Sequence, residues 1–388
     1  MIWPMKGADL YQIEREFNDY FDHKPPTYTN FTCNAIGFVM WEMVITNKQA
    51  CDITNLAGVD IVKVDGIETD ISYDGVINLP TKVEARAPPF ATQTQALGEL
   101  RSLSQPKTVS DLAKAPNHVF HEDPGAKTYV YIMNDGINTE PIDLRDRVAP
   151  VAIVAPHRQA DESDSIDRSD GNSTCSASKA CGLRYGVAKS ATCIAVKTRK
   201  LYSDYAKVWS MVFDDINSRD GGIRKRAVVN YSINKTPSAS GYVPREWLDA
   251  MEIMQLILDI DVPISYASNY FPIIPVGATT LKGDRAAFSQ GGPKMALSAV
   301  GTGITCSPGT GNGDPQTDIL GTSFSAPQVA GMLAYFLSLD PVPFNTDDHK
   351  LSLNALNFLK NTTSYPRKDG APNMAWNLIT EVENPPTA

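Results

Sequence analysis

The stretch that most constrains this chain is Gly321-Thr322-Ser323-Phe324-Ser325-Ala326-Pro327-Gln328-Val329-Ala330-Gly331, which runs on into Met332-Leu333-Ala334-Tyr335-Phe336-Leu337-Ser338-Leu339. A serine set between a glycine turn and a helix presents its hydroxyl at the helix N-terminus. Unpaired N–H groups and the positive end of the helix dipole favour developing negative charge there. This is a seat for a nucleophile. Pro327 suits the first helical turn, because its nitrogen has no hydrogen to lose there. Ala326, Ala330 and Gly331 let the helix pack closely, so it is expected to be buried.

Burying such a helix needs a large core, and 388 residues with 42% hydrophobic content supply one. That length suits one large α/β domain plus a smaller one. The formal charge of -9, with no long basic run, argues against nucleic acid or an anionic membrane as partner. The apolar runs Gly37 to Ile45 and Val148 to Ala155 are too short to span a bilayer and read as buried strands.

Six cysteines stand at Cys33, Cys51, Cys175, Cys181, Cys193 and Cys306, without Cys-x-x-Cys spacing. The pattern argues against a metal knuckle and leaves disulfides open. Five Asn-x-Ser/Thr triplets begin at Asn30, Asn172, Asn230, Asn234 and Asn361; they matter only in a secreted chain. Met1 to Lys6 lacks the charged start and apolar run of a signal peptide. The expected location is therefore the secretory route or outside the cell if a signal peptide has been removed, and the cytoplasm otherwise.

Along the chain, Leu10, Ile13, Phe17, Tyr20 and Phe21 recur at helical spacing. A strand over Ile36 to Ile45, a short helix over Lys48 to Leu56 and a strand over Val59 to Val64 follow. Residues 1–79 thus read as a small α+β domain. Prolines at 80, 88, 89, 106, 116 and 124 make 80–127 read as a linker and entry segment. From 128 to 388 strands alternate with helices: strand Tyr129 to Met133, helix Cys175 to Cys181, strand Thr192 to Lys197, helix Ser203 to Asn217 and strand Ala227 to Ile233. Helix Pro244 to Leu258, strand Val262 to Tyr266 and the serine helix follow. That order gives an α/β fold, a parallel sheet with helices on both faces, its functional residues at the carboxyl ends of the strands.

The serine motif, Gly-Thr-Ser-x-Ser-x-Pro before an Ala-Gly helix, resembles that of the subtilases, the subtilisin and proteinase K-like serine peptidases. The resemblance implies a subtilisin-like sheet in 128–388 and a prodomain-like module in 1–79, the latter closing on Gly58-Val59-Asp60-Ile61-Val62. Leu100-Arg101-Ser102-Leu103-Ser104 resembles the opening of mature fungal subtilases, and Asn373-Met374-Ala375-Trp376-Asn377 their closing segment.

A serine peptidase needs a base, a carboxylate to orient it and donors for the oxyanion. The resemblance sets Ser323 at the nucleophile and Asn269 at the oxyanion position. It sets Asn134, in Val130-Tyr131-Ile132-Met133-Asn134-Asp135-Gly136-Ile137, where the triad aspartate stands, with Asp135 one residue along. Between the matching flanks Asp170-Gly171-Asn172 and Tyr185-Gly186-Val187-Ala188 there is no histidine, and Thr174 takes the place of the base. The substrate strand becomes Asn230-Tyr231-Ser232-Ile233-Asn234-Lys235, with Asn234 and Lys235 on two family glycines. Ser232, Ile233 and Asn234 are thereby implied as substrate-binding residues.

The expectation is a serine peptidase homologue that has lost ordinary proteolysis and uses its cleft on a peptide-like or small molecule, or keeps its own N-terminal domain in that cleft. The alternative is an active endopeptidase with His157 or Asp135 as a non-standard base. No cofactor is expected. Scattered loop aspartates, Asp161, Asp164, Asp167 and Asp170, have no recognised ligand spacing, so structural calcium stays open.

Overall fold

The computed structural model describes residues 1–5, 7–33, 37–62, 82–85, 90–150, 153–154, 171–198, 202–232, 245–266 and 273–387. The N-terminal part contains β1 (Ile2–Pro4), α1 (Leu10–Tyr20), β2 (Tyr28–Cys33), β3 (Gly37–Met43), α2 (Asn47–Ile53) and β4 (Val59–Val62). The Asp9 carboxylate caps α1 by accepting from the Tyr11 and Gln12 N–H groups, and a Thr46/Gln49 capping box opens α2. The strands form an antiparallel sheet in the order β2-β3-β1-β4. Period-two alternation divides its side chains. Ile2 and Trp41 face Ile13, Phe17 and Ile53 of this part's own helices, whereas Trp3 and Met40 join a core of the main domain.

The stretch read as a linker is built into the fold, which corrects that expectation. It holds β5 (Lys82–Ala85), β6 (Phe90–Thr94), α3 (Gly98–Leu103) and β7 (His118–His121), with β5, β6 and β7 in one antiparallel sheet. Leu100, Leu103 and Phe120 are buried in the main core. Pro106 and Pro116 fall between α3 and β7 and Pro124 just after β7, so they punctuate the structure without dissolving it.

The rest is a nine-stranded sheet. Its elements are β8 (Tyr129–Asn134), β9 (Ile153–Val154), α4 (Asn172–Cys181), β10 (Thr192–Lys197), α5 (Tyr202–Ser218), β11 (Ala227–Tyr231), α6 (Arg245–Asp259), β12 (Ile264–Tyr266), β13 (Ile274–Thr279) and β14 (Leu297–Val300). There follow the hairpin β15 (Ile304–Cys306) and β16 (Gln316–Ile319), α7 (Ser325–Leu337), α8 (Leu351–Asn361), β17 (Ser364–Pro366) and β18 (Asn373–Ala375). The order is β17-β18-β14-β13-β12-β11-β8-β10-β9, parallel throughout except for β17 against β18. The chain is thus an α/β protein, as the alternation of strands and helices predicts.

Alternation again assigns the faces. Val130 and Ile132 of β8, Cys193 and Ala195 of β10 and Val228 of β11 share a core with α4, α7 and α8. Tyr131, Met133, Ile194, Val196, Val229 and Tyr231 share the opposite core with α5 and α6. The N-terminal sheet lies outside α5 and α6, and Lys207 of α5 pairs with Glu42 of β3 at 2.9 Å.

Candidate functional site

All thirteen residues of α7 are buried, as its sequence predicts. Gly331 is required by its neighbour: a Cβ there would stand 2.7 Å from the Ala180 carbonyl oxygen and 2.9 Å from the Val187 Cβ, so α7 meets α4 at backbone contact. At the other end of α7, a tight turn over 322–324 carries Ser323, half-buried, at the carboxyl end of the sheet.

The hydroxyl of Ser323 donates to the backbone carbonyl of Ser232 at 3.0 Å. Ser232 answers: its hydroxyl donates to the Ser323 carbonyl at 3.1 Å and accepts from the Asn230 side-chain amide at 2.8 Å. Ser176 of α4 also donates to the Ser323 carbonyl, at 3.4 Å.

The first turn of α4 is stitched to the exit of β8. The Ser173 hydroxyl accepts from the Asp135 N–H at 2.7 Å, and the Thr174 hydroxyl accepts from the Asn138 N–H at 2.9 Å. The Asn138 side chain in turn donates to the carbonyls of Pro308 and Gly311. Gly171, at φ +81°, starts the helix, and a Cβ there would lie 2.9 Å from the Gly309 Cα. The disulfide Cys175–Cys306 ties the same turn to β15, and Cys181–Cys193 ties the far end of α4 to β10. Asn134 ends β8, buried, on the face of Val130 and Ile132 that α4 and α7 cover; Asp135, also buried, is the next residue beyond the strand.

The fold thus brings Ser323, Ser232, Thr174, Asn134 and Asp135 to one end of the sheet. Asn269, Ile233, Asn234 and His157 lie outside the described residues, as do Asp161, Asp164, Asp167 and Asp170. The described histidines sit elsewhere. His118 is buried against the Ser104 hydroxyl, 3.3 Å away, and burial holds it well below the usual imidazole range. His121 packs on Tyr335, about 18 Å along the α7 axis from Ser323. His23 and His349 are exposed beside Asp19 and Asp261.

Beneath the site lies a polar network that reading the sequence misses. Lys179 of α4 pairs with Glu99 of α3 at 2.9 Å, both essentially without solvent exposure. Asp143 accepts from the hydroxyls of Ser178 and Ser307 at 2.7 and 2.8 Å and from the N–H groups of Arg184 and Tyr185. The Lys189 ammonium donates to the Gly186 carbonyl at 2.7 Å, and burial lowers its pKa to about 7. The available signal is Lys179 itself, a long cation in a run of small residues, Ser176-Ala177-Ser178-Lys179-Ala180. Among the described residues no cluster of three or more His, Cys, Asp or Glu side chains is placed to hold a metal ion, and no helix is long and apolar enough to cross a membrane.

Comparison with known proteins agrees with this architecture. The family model for the subtilase family matches residues 125–371. "Subtilisin-like protease 5" of Arthroderma benhamiae is 27% identical over 243 residues, covering 59% of this chain and 57% of that protein. "Subtilisin-like protease 1" of Trichophyton verrucosum is 27% identical over 241 residues, with the same coverage. The chain thus spans little more than half the length of these curated relatives. Among solved structures, that of a cold adapted subtilisin-like serine proteinase superposes with a TM-score of 0.56 at 21% identity, covering 74% of this chain and 99% of that one. With the parallel sheet, the buried α7 and the Ser323 turn already in place, the family match over more than half of its length identifies this chain as a member of the subtilase family.

Proposed function

We propose that this chain keeps the subtilase scaffold without ordinary peptide hydrolysis, and that its cleft binds a peptide-like or small molecule. The observation that carries the reading is the hydrogen bond from the Ser323 hydroxyl to the Ser232 carbonyl. A peptide carbonyl is far too weak a base to take the proton that a serine nucleophile must lose. Asn134 at the triad carboxylate position and Thr174 at the histidine position support it. The Thr174 hydroxyl already accepts from the Asn138 N–H, and neither side chain takes a proton near neutral pH.

Magnitudes support the same conclusion. Removing the histidine of a working subtilisin triad lowers turnover roughly 10⁶-fold, while about 10³ to 10⁴ over water survives from the oxyanion hole and binding. Losing the aspartate as well adds little, because the triad acts as a unit. In this reading Asn269 keeps the oxyanion position, Ser232, Ile233 and Asn234 shape the ligand strand, and no cofactor is needed.

Residues 1–79 are read as a prodomain-like unit that stays attached and shields the cleft, ahead of the entry segment 80–127 and the subtilisin-like domain 128–388. Support for its staying attached comes from Trp3 and Met40 packed in the α5/α6 core and from the Glu42 to Lys207 ion pair. Two disulfides support passage through an oxidising, secretory compartment.

The test is to treat the purified full chain with a fluorophosphonate probe and with casein. The expected outcome is no label, no hydrolysis and one uncut chain. Rapid labelling that Ser323→Ala abolishes overturns the reading in favour of an active peptidase with His157 or Asp135 as base.

A further inference from the structure

Of the five Asn-x-Ser/Thr triplets, four have their asparagine among the described residues, and the fold sets one of these apart. Asn230 is fully buried in β11, its amide donating to Ser232. Asn172 is half-buried in the first turn of α4, and Asn30 on β2 is exposed but engaged, its side chain donating to Glu14 at 3.3 Å. Asn234 lies outside the described residues. Asn361 is different. It is the last residue of α8, exposed, and its carboxamide has no hydrogen-bond partner among the described residues. It stands about 200° round the helix from Leu359, which together with Leu351 and Ala355 forms the buried stripe of α8.

The second observation is chemical. Cys175, Cys181, Cys193 and Cys306 are all buried and paired as two disulfides, the state of a chain folded in an oxidising compartment. In eukaryotic cells that compartment is also where asparagine-linked sugars are added.

We propose that Asn361 carries an N-linked oligosaccharide, a modification that rests on the secretory placement given above. The Asn361 amide nitrogen forms a bond to the anomeric carbon of an oligosaccharide carried on a polyprenyl diphosphate. The anomeric C–O bond breaks, the polyprenyl diphosphate leaves with its electron pair, and one amide proton is lost. Thr363, the hydroxyl residue of the triplet, is buried in the folded chain with its hydroxyl donating to the Leu359 carbonyl at 3.4 Å. The sugar is therefore attached before α8 closes, and the folded chain tolerates it because Asn361 points outward. Asn230 has no such room, so a chain modified there does not reach this fold.

The test is to express the full chain in a eukaryotic host, release N-glycans with the amidase PNGase F in ¹⁸O-water, and map the peptides by mass spectrometry. The expected result is an ¹⁸O-labelled aspartate at position 361, unmodified asparagine at 230, and the loss of one mobility step on a gel for Asn361→Gln. A secreted, disulfide-bonded protein with unmodified Asn361 overturns the glycan alone. A chain retained in the cell, whose buried cysteines react with a thiol reagent once denatured, overturns the secretory placement and the glycan with it.

Discussion

Ser323 and Ser232, 91 residues apart in sequence, hold each other reciprocally: each hydroxyl donates to the other's backbone carbonyl, at 3.0 and 3.1 Å. Such a pair positions the α7 turn against the end of β11 and leaves the Ser323 oxygen protonated. In the proposed reading Ser323 is a structural group first. Ser323→Ala is expected to cost roughly 1 kcal/mol, the worth of one neutral hydrogen bond. Urea unfolding should show the loss, while any turnover or ligand affinity of the wild type survives the substitution. An activity that disappears with Ser323→Ala at unchanged stability contradicts this.

The Lys179 to Glu99 pair makes a sharper stability prediction. Its two side chains are 0% and 3% exposed, so neither charge has water to fall back on. Glu99→Gln strands a buried ammonium and should cost about 3 to 5 kcal/mol. Combining Glu99→Gln with Lys179→Met removes the charge and should return the urea midpoint to near the wild-type value. Equal midpoints for the single and the double variant would show that the ion pair is not what holds α3 on α4.

How much of this is legible without coordinates depends on whether the signal is local. The buried α7 and strand Thr192–Lys197 are, because an apolar run between punctuating residues carries its own address. β1 escapes, since three residues ending in Pro4 have no period to detect. α8 escapes although Leu351, Ala355 and Leu359 are correctly spaced, because its several asparagines depress helix propensity and packing overrides it. In the site, Ser323, Asn134, Thr174 and Ser232 can be picked by motif. Their hydrogen bonds cannot, because each partner is set by topology: Ser232 for Ser323, Asn138 for Thr174 and Glu99 for Lys179.

The disulfides differ in what they constrain. Cys175–Cys306 closes a loop of 131 residues and Cys181–Cys193 one of 12, nested within the first. Loop-closure entropy makes the long bridge worth roughly 5 kcal/mol and the short one roughly 3. Replacing Cys175 and Cys306 by alanine should therefore lower the thermal midpoint more than the same change at Cys181 and Cys193. Calorimetry under non-reducing conditions tests the order, and the reverse order would mean that local packing under α4 outweighs chain entropy.

Lys189 supplies the pH prediction. Burial is the main cause of its depressed pKa; the nearby Lys179 ammonium lowers it further, and the Asp143 carboxylate opposes them without winning. The native group titrates at about 7, against 10.5 for an unperturbed lysine. Between those values the unfolded chain holds a proton that the native chain has released. Stability from this group therefore rises with pH across the window, by up to about 1.4 kcal/mol per pH unit. Below pH 7 both states are protonated and the full cost of burying the ammonium is present. Lys189→Met removes that cost and forfeits the hydrogen bond to the Gly186 carbonyl, the attraction of Asp143 and the contact of the ammonium with the Phe120 ring. The variant's thermal midpoint relative to wild type should be highest at pH 6 and fall steadily toward pH 9. A difference that stays constant between those two values means that Lys189 does not change charge in this window.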